Sequence, residues 1–136
     1  MFHNKLTIYT DGGARGNPGP AGIAYVIYDE NNKLIAKNSK LIGTATNNQA
    51  EYKALIFGLE GAEKIKGKKI NCLLDSELVV KQLTGLYKVK DRDLKPLFAK
   101  ILILTNKFNL VTFKHIPREK NKLADKLVNL AIDKGF

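Results

Sequence analysis

The sequence predicts an α/β domain in which a mixed, five-stranded sheet carries helices on both faces. Three observations give that class. Alternating apolar runs near the N-terminus are joined by short links, as in an antiparallel meander. The apolar spacing then changes to the helical period near Asn48. From there to the C-terminus strand-like and helix-like segments take turns, giving the order βββαβααβα. At 136 residues the chain is expected to form one domain, residues 1–136.

The elements follow in order. Leu6 and Ile8 alternate with Thr7 and Tyr9 in a first strand. It is expected to end at Asp11, because Gly12, Gly13, Gly16 and Gly19 with Pro18 and Pro20 read as a break in regular structure. Gly22–Tyr28 is a second strand, Asp29–Lys33 a turn, and Leu34–Leu41 a third strand. A helix is predicted from Asn48 to Ile65, closed by Gly67. Lys68–Leu74 is a fourth strand, and a short helix runs from Ser76 to Leu83. Tyr87–Arg92 is a basic loop, and the next helix, Leu94–Asn106, holds Pro96 in its first turn. Asn109–His115 is the fifth strand and Glu119–Lys134 the closing helix.

Composition narrows the partners. The net charge is +10 and the pI near 9.7, which points to a polyanion, most often nucleic acid. The single cysteine, Cys72, excludes an internal disulfide and a cysteine-based zinc site, and its apolar neighbours mark it as a core residue. No apolar stretch reaches membrane-spanning length, and the N-terminus MFHNKLTI has no signal-peptide core. A cytoplasmic protein with no membrane partner is the expectation.

The acids carry the chemistry. Glu51 shares the apolar face of its helix with Leu55, Gly58, Ala62 and Ile65, where a charge is costly unless paired. A capping box, Asn48-x-x-Glu51, is the alternative account. Asp11 and Asp75 both end strands, where open α/β sheets place their sites, although each also suits a turn or cap. Asp125 lies off the apolar face Leu123, Ala124, Leu127, Leu130 and Ala131, as a solvated helix acid would. Converging carboxylates must take up protons or hold cations, and all-oxygen ligands select hard ions such as Mg²⁺ or Mn²⁺. Two such ions about 4 Å apart serve in-line attack on a phosphodiester.

Five ordered motifs then resemble a known family. They are Tyr9-Thr10-Asp11-Gly12-Gly13, Gly16-Asn17-Pro18-Gly19, Thr46-Asn47-Asn48-Gln49-Ala50-Glu51, Asp75-Ser76-Glu77, and His115…Asn121…Ala124-Asp125. Together they resemble type 1 ribonuclease H over nearly the whole chain. The resemblance implies a ribonuclease H-like fold and a metal site of Asp11, Glu51, Asp75 and Asp125, holding two Mg²⁺ ions with substrate and able to accept Mn²⁺. It implies hydrolysis of the RNA strand of RNA/DNA hybrids, leaving 5′-phosphate and 3′-hydroxyl ends. In that scheme Asp11 bridges both ions, Glu51 and Asp75 share the first, and Asp125 holds the other. His115 matches a mobile histidine that aids proton transfer or product release, while a plain strand-end histidine stays open. Gly12, Gly13, Asn17, Thr46, Asn47, Asn48, Glu77 and Asn121 are carried over as substrate contacts. Asn17, Asn48 and Glu51 match readers of the 2′-hydroxyl, which only RNA offers; Asn48 also fits a plain helix N-cap.

Three departures qualify the resemblance. Glu77 stands where many relatives have Gln. The basic helix-loop that some members use to grip the hybrid is absent, since Tyr87–Arg92 is too short for it, although Lys88, Lys90, Arg92 and Lys95 offer charge there. In the DNA-phosphate pocket of some members Thr46 fits, but Thr44 and Asp91 replace an Arg and an Asn. The expectation is a short form, monomeric and without a preceding hybrid-binding module; whether double-stranded RNA is also a partner stays open. Two other readings stand beside it, another two-metal nuclease of the same superfamily and a non-catalytic nucleic-acid-binding module.

Overall fold

Strands β1 (His3–Ala14), β2 (Gly19–Tyr28) and β3 (Leu34–Ala45) come first, followed by helix α1 (Asn47–Lys64) and strand β4 (Gly67–Leu74). Helices α2 (Glu77–Leu83) and α3 (Lys95–Thr105), strand β5 (Leu110–His115) and helix α4 (Lys122–Lys134) complete the chain. The computed structural model describes residues 2–135, so residues 1 and 136, the ends of the expected domain, lie outside the described residues. The sheet order is β3-β2-β1-β4-β5. β1 pairs antiparallel with β2 and parallel with β4, so the expected mixed, five-stranded sheet is the one observed.

Leu6, Ile8, Ile70, Cys72 and Leu74 point to one face of the sheet and pack against Tyr52, Leu55 and Leu59 of α1 in a single buried cluster. Cys72 is fully buried there, as its neighbours suggested. α4 covers the other face over β1, β2 and β3. Its buried residues are Ala124, Val128 and Ala131. This corrects the expected apolar face, because Leu130 is exposed and Val128 takes the inward place.

The glycine-rich stretch departs most from the reading above. β1 does not end at Asp11 but continues through Gly12 and Gly13 to Ala14, paired with Ile23, Gly22 and Ala21 of β2. The reason is packing against helices. A side chain at Gly12 would put its Cβ 2.1 Å from the Ala50 carbonyl oxygen of α1. At Gly22 it would stand 3.0 Å from the Val128 carbonyl oxygen of α4. These glycines let helices lie close on both faces, and only residues 15–18 turn the chain.

Two helix starts also move. The N-cap of α1 is Thr46, in a capping box with Gln49, rather than Asn48 with Glu51. The closing helix divides into a 3-10 turn at Arg118–Lys120 and α4, with Asn121 between them.

If close approach is the reason for Gly12, Gly12→Ala lowers the unfolding free energy by about 2 kcal/mol or more. Gly13→Ala, whose new Cβ would lie 3.8 Å from Val128 Cγ1, stays near wild type. Urea melts of the pair decide it, and equal losses contradict the account.

Candidate active site

Parallel pairing of β1 with β4 ends at Thr10 and Leu74, so Asp11 and Asp75 are the next residue of each neighbouring strand. They stand side by side at one end of the sheet. Glu51, in the second turn of α1, reaches over that end. Its carboxylate accepts a hydrogen bond of 2.6 Å from the Gly12 amide. It does not return to its own helix terminus, so the capping-box account of this acid is overturned. Asp11, Glu51 and Asp75 each place one carboxylate oxygen within 4.8 Å of the other two. Asp125 is exposed on α4, outside this tight group, and lines the same open cleft of about 340 Å³.

Asp11 and Glu51 are buried, Asp75 half-buried. Burial, with the field of Asp75, pushes the Asp11 carboxyl up to about 7. Burial and the nearby Asp11 and Asp75 hold Glu51 well above the ordinary carboxylate range, only partly offset by the Gly12 amide. Among the described residues no lysine or arginine forms an ion pair with these three acids. A close, partly dry, all-oxygen cluster without a cation of its own fits a divalent metal ion.

Other side chains hold the cluster in place. Asn121, expected as a substrate contact, is 1% exposed, and its side chain is engaged inside the protein. Its amide nitrogen donates to the Thr10 carbonyl and to Asp75 Oδ2, both at 2.9 Å, tying the acid to the neighbouring strand. The Tyr52 hydroxyl donates to Gln82 Oε1 at 2.6 Å and joins α1 to α2, which begins just after Asp75. The Asn47 amide donates to Asn17 Oδ1, and Asn47 Oδ1 accepts from the Ala14 amide. These bonds lock the β1–β2 turn onto the start of α1. Arg15 extends from that turn to Asp133 and Asn129 of α4.

The remaining candidates divide. Gly12, Gly13, Asn47 and Asn48 line the cleft, and Asn48 is exposed there. Thr46 spends its hydroxyl on the Gln49 amide, capping α1. Asn17 is exposed, with its side-chain oxygen engaged by Asn47. Glu77 lies outside the cleft and pairs with Lys81 at 3.2 Å. His115 is exposed at the end of β5, paired with Leu74 and so one position from Asp75, but it is not a lining residue. Arg118, Ser76 and Asn129 line the cleft and escaped the sequence reading. A lone arginine in a basic chain carries no signal; its distance of three residues from His115 was the one available hint.

Three comparisons with known proteins fit this picture. A family model described as reverse transcriptase-like matches residues 9–131. The "Bifunctional protein Rv2228c" of Mycobacterium tuberculosis is 42% identical over 95% of this chain, which spans 36% of that protein's length. A "Ribonuclease H" of Ruthia magnifica is 34% identical, with 96% of this chain and 97% of that protein covered. Among solved structures, LC11-RNase H1 in complex with RNA/DNA hybrid superposes with a TM-score of 0.90 at 50% identity, covering 96% and 98% of the two chains.

Two outcomes follow from the geometry. A raised carboxyl pKa means that the folded chain binds its proton more tightly than the unfolded chain. In EDTA, stability therefore falls as pH rises from about 5 through 7, and a saturating divalent cation abolishes the fall. Glu30, lowered to about 2, acts in the opposite sense only below its ordinary 4.5. Urea midpoints across that window check this, and a flat EDTA profile contradicts it. Asn121→Ala strips Thr10 and Asp75 of a buried donor and is expected to cost about 1–3 kcal/mol in the same assay.

Proposed function

Since this chain belongs to the type 1 ribonuclease H family, we propose that it is an endonuclease hydrolysing the RNA strand of RNA/DNA hybrids, leaving 5′-phosphate and 3′-hydroxyl ends. The observation that carries this reading is the convergence of Asp11, Glu51 and Asp75 within 4.8 Å at the end of two parallel strands. Asp11, Glu51, Asp75 and Asp125 are the proposed metal-holding side chains, for two Mg²⁺ ions with Mn²⁺ able to substitute. Such ions, when bound, supply activation of the attacking water and neutralisation of the leaving oxygen.

The chain's own groups do the rest. Asp11 and Glu51 enter the reaction as anions only when a cation offsets their burial, so the free site resists full ionisation. Asn121 keeps Asp75 aimed at Asp11. Arg118 presents the cleft with a guanidinium suited to a phosphate oxygen. Asn48, whose exposed side chain lines the cleft, is proposed to read a 2′-hydroxyl. Gly13, half-buried in the cleft lining, leaves backbone open to close approach, whereas the Gly12 amide is already engaged by Glu51. His115, accessible beside Asp75, is proposed to move a proton or ease product release. The reading takes the chain as one catalytic domain, monomeric and cytoplasmic. No helix among the described residues is long and apolar enough to cross a membrane.

The test is a cleavage assay on end-labelled hybrid, double-stranded RNA and double-stranded DNA in Mg²⁺, Mn²⁺ and Ca²⁺. The hybrid's RNA strand is expected to be cut in Mg²⁺ or Mn²⁺, and Asp75→Asn to cut at least about a hundredfold more slowly. Hybrid binding without cleavage in any metal supports the non-catalytic module instead.

A further inference from the structure

The two faces of the sheet are covered unequally. α1 and α2 cover one face from β3 across to β5, whereas α4 packs on β1, β2 and β3. On the α4 side Lys69, Leu110, Thr112 and Lys114 of β4 and β5 are exposed, with Asn71 and Leu73 half-buried. The parallel register aligns them with β1 in three rows: Lys5–Lys69–Leu110, Thr7–Asn71–Thr112 and Tyr9–Leu73–Lys114.

Three features of this open face point to an anionic ligand. Lys5 and Lys69 are cross-strand neighbours, an arrangement that repels unless something neutralises it. Among the described residues neither has a carboxylate within ion-pair distance. Glu30, near the outer edge, is already engaged by His3 and the Asn4 amide. Next, Tyr9 and Tyr28 meet edge to face with ring centroids 5.6 Å apart, and with Lys120 they line a small pocket. Finally, the 3-10 turn puts a cation on each side of itself: Arg118 lines the acidic cleft and Lys120 lines the tyrosine pocket.

We propose that this face docks single-stranded RNA. Lysines answer the phosphates, and half-buried tyrosines offer a base a surface to stack on. A duplex cannot use that surface, because its bases are stacked on one another. The middle row favours RNA. The Thr112 hydroxyl donates to Asn71 Oδ1, leaving the Asn71 amide hydrogens and the Thr7 hydroxyl without partners among the described residues. Those groups suit a 2′-hydroxyl, which is both donor and acceptor.

Fluorescence anisotropy of a labelled oligouridylate in EDTA tests the proposal without calling on catalysis. For Lys5→Gln/Lys69→Gln the dissociation constant is expected to rise at least about tenfold, and the salt slope to fall by about 1.4, the single-strand value for two lost contacts. A blunt hybrid short enough to stay in the cleft is expected to be cut within about twofold of the wild-type rate, since neither lysine lies there. The unfolding midpoint is expected to be no lower than wild type, because a like-charge pair has gone. Unchanged affinity and slope in the double variant overturn the proposal, as does oligothymidylate binding as tightly as oligouridylate.

Discussion

Where helix α1 crosses strand β1, a backbone amide and a buried carboxylate meet: Gly12 donates to Glu51 at 2.6 Å. The contact exists because Gly12 has no side chain to hold Ala50 away. It carries Glu51 over the end of the sheet, onto the residue that follows Asp11. One amide offsets part of the cost of burying that charge, and not all of it. Two buried acids therefore share a small volume with a third, and the cluster is left with an electrostatic deficit that a cation can fill. The cleft's chemistry begins with a packing decision.

The rest of the molecule keeps that deficit from relaxing. Asp11 and Asp75 ride on adjacent parallel strands, so their separation is set by sheet geometry rather than by loops. Asn121 spends both amide hydrogens on Thr10 and Asp75, although its buried carbonyl oxygen finds no partner among the described residues. An unsatisfied buried oxygen is expensive, and here it accompanies a residue that restrains an acid. Tyr52 with Gln82, and Asn47 with Asn17, brace the neighbouring segments. Function is concentrated where local stability is sacrificed.

The uneven cover of the sheet has the same root. α4 must lie over β1–β3 to bring Asp125 to the cleft and seat Val128 near Gly13 and Gly22. A helix placed there leaves β4 and β5 bare on that side. The exposed rows of lysine, threonine and tyrosine lie where the fold could not provide a layer. Lys5 and Lys69 on the bare strands have no carboxylate partner among the described residues. A surface of this kind belongs to the nucleic-acid side of the protein rather than to its core.

How much of this was legible depended on the range of the interactions involved. Asp75 could be picked out because its strand ends locally, and Glu51 because a charge broke an apolar helical stripe. Both are patterns within about one or two turns of chain. Gly12 and Gly13 were misread, since beside prolines they look like a turn; their partners, Ala50 and Val128, are far along the chain. Asn121 looked like a surface residue because nothing nearby in sequence shows that it is buried. Arg118 and Lys120 carried no sign that a single turn would send them to opposite sides. Thr46 took the cap that Asn48 seemed to offer, a competition between neighbours that composition cannot rank. By itself, then, the sequence determined the order of strands and helices, the mixed sheet, and Asp11, Glu51 and Asp75 as acids standing out from their local pattern, because periodicity and strand ends are properties of the chain. Only the tertiary structure decided which acids are buried together, what holds them, and which face of the sheet stays bare, because these depend on how closely distant segments can approach.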